Sequence, residues 1–205
     1  MVQTLIDPRM FDTSQALGAH DGSSLTGLPS DLVKLAETDI TGATATVDFT
    51  AISSTYDQYM FIGSNLNRSG AANTSMGVRF SNNGGSSFHS SNYMYAYCDT
   101  ITYSGGGPSV GSDGSYSYNR IRIMGSVNAT TFAGSFTMYL YNPLDSSHFT
   151  YVNGVSTKIY DVTNDPFSTI NFAGKYNTAE ANDAVQFALE SGSFADGKIT
   201  MYGIK

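Results

Sequence analysis

Phe136-Thr137-Met138-Tyr139-Leu140-Tyr141-Asn142-Pro143 is the stretch that decides the fold. Phe136, Met138 and Leu140 fall on one side of an extended chain and Thr137, Tyr139 and Tyr141 on the other, the period-two pattern of a strand with one face in a core. Asn142-Pro143 then closes the run, because Pro cannot donate to a strand ladder and Asn tolerates turn geometry. The same pattern recurs on both sides. Val47 and Phe49 alternate with Thr46, Asp48 and Thr50, Val78 and Phe80 flank Arg79, and Ile121 and Ile123 flank Arg122. Further extended runs cover 56–66, 93–103, 150–155, 169–172, 184–189 and 198–204. Residues 30–37 fit either a turn of helix capped by Ser30 or a strand through Val33 and Leu35, and the strand is favoured. Turn residues punctuate the runs at Asn67-Arg68-Ser69-Gly70, Asn82-Asn83-Gly84-Gly85, Gly105-Gly106-Gly107-Pro108, Asn153-Gly154, Asp165-Pro166 and Asp196-Gly197. Asp196-Gly197 is the strongest tight-turn signal among them. The Gly- and Ser-rich stretch 104–118 reads as a flexible loop with little to bury. About nine or ten antiparallel strands without helical crossovers imply an all-β, two-sheet sandwich of jelly-roll type.

Composition agrees. The 205 residues suffice for one sizeable core, and only 13% are charged, about half the roughly 25% usual for globular chains. Three Glu and five Lys leave few surface helix formers, while 27 Ser, 21 Thr, 14 Asn and 21 Gly supply neutral polarity. The net charge of −7, with no Lys/Arg cluster, argues against phosphate-backbone binding and hence against nucleic acid as a partner. No apolar run approaches the 18 or so residues of a membrane helix, and Met1 to Pro8 lacks the pattern of a secretory signal. Synthesis in a reducing cytoplasm is expected. The lone Cys98 has no disulfide partner and, alternating with Met94 and Ala96, is expected to be a small buried side chain.

The first thirty residues break the pattern. Asp7-Pro8, Gly18, Asp21-Gly22, Gly27 and Leu28-Pro29 are breakers, yet Leu5, Ile6, Met10, Phe11 and Leu17 are too apolar for a solvated tail. Two regions follow: an extended arm over 1–30, able to reach up to about 100 Å, and a sandwich over 31–205. The arm's apolar residues are the candidates for partner binding.

Chemistry is sparse. His20, His89 and His148 are far apart and none has a second ligand at metal spacing; no nucleophile elbow and no phosphate cradle occurs. Most aspartates sit in turns. Asp161-Val162-Thr163-Asn164-Asp165 only loosely resembles a calcium loop and lacks its glycine and distal glutamate. No catalytic residue, metal or cofactor is expected. Tyrosine is the informative residue type: there are 14, with no Trp. Tyr93, Tyr95 and Tyr97 share one face of a strand, which suits a core face, a subunit interface or a carbohydrate platform, and Tyr116 and Tyr118 lie in the 104–118 stretch.

Several segments together resemble small virion proteins of tailed bacteriophages, marine and cyanobacterial ones in particular. They are Asp21-Gly22-Ser23-Ser24-Leu25-Thr26-Gly27-Leu28, Leu32 to Glu37, Val47-Asp48-Phe49 with Tyr56-Asp57-Gln58-Tyr59, Val78 to Gly85, and Gly197 to Lys205. The resemblance implies a non-enzymatic β-sandwich of the virion. One form is a capsid decoration (cement) protein, a homotrimer whose arm binds the major capsid protein. The other is a tail-fibre module whose tyrosines touch a host glycan while the arm docks to a tail protein.

Overall fold

Alternation of apolar and polar side chains makes each described segment a strand, and the strands' apolar faces must then be covered by one another. The computed structural model describes residues 32–50, 52–69, 74–102, 106–127, 134–159 and 167–205. They form twelve strands and no helix: β1 Leu32–Ile40, β2 Thr46–Phe49, β3 Gln58–Ser69, β4 Thr74–Ser81, β5 Tyr93–Thr102, β6 Ser109–Tyr118, β7 Ile121–Val127, β8 Gly134–Tyr141, β9 Phe149–Ile159, β10 Phe167–Ala179, β11 Ala184–Leu189 and β12 Ser193–Ile204. The arm over 1–30, with Leu5, Ile6, Met10, Phe11 and Leu17, lies outside the described residues, as does the stretch from Asp161 to Asp165.

Two antiparallel sheets result. The large one runs β1-β12-β3-β8-β9-β10-β5-β6 and the small one β2-β11-β4-β7. Four pairings are nested in the chain: β1 with β12, β2 with β11, β3 with β8 and β4 with β7. The remaining strands enter as consecutive pairs, β5 with β6 and β9 with β10, and widen the large sheet beyond the nested set. The small sheet packs on the large one, with β7 against β10, β9 and β5, and β2 and β11 against β12.

The core lies between them. Phe187 of β11 is fully buried and meets Phe49 of its own sheet at 6.1 Å and Phe61 and Phe136 of the opposite sheet at 5.2 and 5.3 Å. These edge-on and tilted contacts add to area burial. The Phe136, Met138 and Leu140 face of β8 is buried here, with each residue at most 3% exposed.

Four expectations are corrected by local physics. Asn67, Arg68 and Ser69 do not turn but end β3, paired with Asp196, Phe194 and Ser193 of β12. Asn153-Gly154 is not a turn but part of β9, where a Cβ on residue 154 would collide with the Thr137 carbonyl oxygen and the Phe172 ring. Asp196-Gly197 lies inside β12 as a bulge. The register shifts on both sides of Asp196, and Gly197 takes φ 123° opposite Asn65, itself at φ 52°. The stretch 109–118 is not a loop but edge strand β6, for a reason given by Arg122 below. By contrast, Asn82-Asn83-Gly84-Gly85 does turn, with Gly84 and Gly85 at φ 69° and 82°. The Ser81 hydroxyl accepts the amides of Asn83 and Gly85 at 3.2 and 3.1 Å, and Asn83 Oδ1 accepts that of Ser87 at 3.0 Å.

Candidate ligand-binding groove

The face of the large sheet turned away from the small one carries the site, and strand register builds it. Across neighbouring strands one row of outward side chains runs Tyr141, Tyr151, Lys175 and Met94. The next row, one pleat along, runs Tyr139, Asn153, Ala173, Ala96 and Gly114. Bulky side chains thus stand beside a strip of small ones, and the strip becomes the floor of a groove of about 660 Å³. Tyr116 of β6, 86% exposed, stands at its other side. Ala173 and Ala96 are exposed on the floor.

The walls are braced. Phe149 meets the Tyr151 ring edge-on at 6.3 Å, and Lys175 Nζ sits 4.0 Å from the centroid of the same Phe149 ring. The Tyr141 hydroxyl donates to Asn153 Oδ1 at 3.3 Å, and Tyr139 stacks on Tyr141 at 6.4 Å. Rigid aromatic planes, an amide and hydroxyls around a shallow floor can hold a ligand with both apolar faces and polar edges.

Arg122 on the inner side holds β6, and with it Tyr116, in place. Its guanidinium donates to Asp113 Oδ2 and Glu190 Oε1, both at 2.9 Å, and to the Tyr118 hydroxyl at 2.7 Å. Tyr118 in turn donates to Glu190 at 2.6 Å, and Tyr95 donates to Asp113 at 3.2 Å. The guanidinium also lies over the Tyr118 and Tyr95 rings, at 4.9 and 5.8 Å from their centroids. Asp113 and Tyr118 belong to β6, so a stretch with few apolar side chains is ordered by ion pairing and stacking instead. Burial alone would raise the Glu190 carboxyl, but the hydrogen bonds from Tyr118 and Arg122 outweigh it and hold its pKa below the ordinary value. A carboxyl depressed on folding stabilises above its unfolded pKa, and that contribution is lost as pH falls through the folded value. Acidification below about pH 4.5 is therefore expected to loosen β6 before the core. Replacing Arg122→Leu should cost about 1–3 kcal/mol at neutral pH, a range reduced for the pair's partial exposure, and flatten that acid limb. Urea titrations of both proteins from pH 7 to 3 check this.

The predicted site residues separate. Tyr93 and Tyr95 are buried in the core, Tyr93 accepting the Phe80 amide at 2.8 Å, so they offer a partner no contact surface. Burial pushes both phenols up, and Tyr97, half-buried on the same inward face, up to about 12. Tyr118 is half-buried around Arg122, and Tyr116 is the exposed one of the five that lines the groove. The core reading of the Tyr93-Tyr95-Tyr97 face holds because these rings, not the Met94-Ala96-Cys98 side, face the small sheet. Cys98 is accordingly exposed, a correction that follows from the same alternation with its sides exchanged. Tyr141, Tyr151, Asn153 and Lys175 were not singled out by sequence reasoning. Their alternation marks each as outward, but only strand pairing brings them together.

The histidines have local roles. His89 stacks on Tyr176 at 4.4 Å and places Nε2 3.2 Å from both Asn182 and Glu180, while His148 pairs with Asp145 at 2.7 Å. Among the described residues no group of three or more His, Cys, Asp or Glu side chains is placed to hold a metal ion. No family model matches the chain, and no curated protein matches it.

Proposed function

We propose that the chain is a non-enzymatic surface protein of a tailed-phage virion whose sandwich recognises a saccharide of the host surface. The observation that carries this reading is the groove, in which exposed tyrosine rings flank a floor of Ala, Gly and Asn. Sugars present flat C–H faces for stacking and hydroxyls at their edges, and such a groove answers both. The strand order lends support to the virion reading. We read β1-β12-β3-β8 over β2-β11-β4-β7 as a jelly-roll order, an architecture shared by capsid and lectin domains, with β5–β6 and β9–β10 as additions. Those additions supply four of the five groove strands.

Calorimetric titration with host surface oligosaccharides tests the reading. Tyr151→Ala and Tyr116→Ala are each expected to weaken binding about tenfold, with the unfolding midpoint unchanged for Tyr116, which is 86% exposed, and lowered slightly for Tyr151, which loses its contact with Phe149. Full affinity in both variants would sink it.

A second reading, the decoration protein, is favoured by apolar side chains beyond the groove lining. Val110, Val155 and Phe167 are 73%, 42% and 50% exposed, which suits packing against capsid subunits or against copies of the chain in a homotrimer. Localisation on intact particles separates the two. Dense labelling over the head supports cement, and deletion of residues 1–30 should then abolish capsid binding; a few copies at the tail support receptor recognition.

A further inference from the structure

Lys175 gives the groove a chemical preference. Among the described residues that line it, Lys175 is the only charged one, and none is acidic. This stands out in a chain whose net charge is −7. Several acids around it in the fold have other partners: Asp113 and Glu190 face inward on Arg122, Glu180 lies against His89 and Asn82, and Asp145 pairs with His148. The Lys175 stem rises from β10 between Tyr151 and Met94, and the residue is half-buried. Its contact with the Phe149 face fixes its position while leaving N–H donors for a ligand. A cation so held, with no carboxylate among its groove neighbours, is complementary to one negative group on an otherwise neutral, stackable ligand.

We propose, building on the saccharide reading, that the groove selects an anionic saccharide, one carrying a carboxylate or sulfate. Lys175 Nζ donates to the anionic oxygens, the sugar faces lie on Tyr151 and Tyr116, and Asn153 exchanges hydrogen bonds with ring hydroxyls. A single cation confers selectivity rather than bulk attraction, since the whole molecule repels anions at long range.

The probes are a hexauronate, its fully methyl-esterified form, a sulfated hexasaccharide and a neutral hexasaccharide, titrated into the full chain by calorimetry. Esterification removes the charge and keeps the ring faces, so it isolates the Lys175 contribution. The wild type is expected to bind at least one of the two acidic probes about tenfold more tightly than the uncharged ones. Which acid prevails, uronate or sulfate, names the source of the charge. Lys175→Gln should erase the difference while keeping the weaker neutral binding, and Lys175→Arg should retain it. Equal affinity for acid, ester and neutral probes overturns the proposal and leaves the saccharide reading standing. Binding of none of the four overturns both. Sedimentation showing self-association that Tyr151→Ala abolishes would instead assign the groove to a second copy of the chain.

Discussion

Phe187→Ala is expected to lower the unfolding free energy by about 3–5 kcal/mol, the usual cost of deleting a fully buried aromatic ring. The size follows from position. Phe187 stands in the small sheet and touches Phe61 and Phe136 in the large one, so its removal opens a cavity at the seam between sheets. Rigid strands on both sides limit collapse into it. A chain of this size has only about 5–15 kcal/mol of net stability, and the variant should unfold at a much lower urea concentration. A loss under 1 kcal/mol would mean that the seam is not packed as described. Phe187→Leu, which keeps most of the volume, should recover more than half of the loss.

The second large effect concerns the groove floor. If the groove holds a saccharide as proposed, Ala173→Trp should weaken that binding by roughly 100-fold, about 2.8 kcal/mol, because an indole rising from the floor occupies the volume a sugar ring needs. Stability should hardly change. Ala173 is exposed on β10, and aromatic residues suit strand positions. Unchanged binding in a folded Ala173→Trp protein would exclude the floor as the place where ligand sits. Binding lost together with the unfolding transition would point to misfolding, and Ala96→Tyr on the neighbouring strand provides an independent obstruction.

How much of this was legible in the sequence differs by scale. The all-β class and the position of most strands follow from alternation, since a two-residue period leaves little choice about which side is buried. Phe136, Met138 and Leu140 are a fair example. Glycine misleads where it serves close packing rather than turning: Gly154 gives room to the Phe172 ring and Gly197 allows a bulge, and both look like turns to a local reading. The strand nature of 109–118 is invisible locally because its order comes from Arg122, which lies in the following strand. Alternation in 93–98 separates two faces but does not say which is inside, and this is why Cys98 was expected in the core. The groove lies furthest from the sequence. Tyr141, Tyr151, Lys175, Ala96 and Gly114 come from five strands, and no spacing between them in the chain encodes the register that aligns them.

The nested pairings bear on how such a chain reaches its structure. Leu32 pairs with Ile204, a contact that closes nearly the whole described chain, whereas β8 with β9 and β5 with β6 pair between neighbours in the chain. Loop-closure entropy must be met before a distant contact returns anything, so a topology dominated by such closures folds in the millisecond-to-second range rather than in microseconds. The adjacent pairs that border the groove have short loops to close and can form early, while β1 and β12 join last and expose unpaired strand edges until they do. Folding would then have a natural order, in which the strands that build the groove pair ahead of β1.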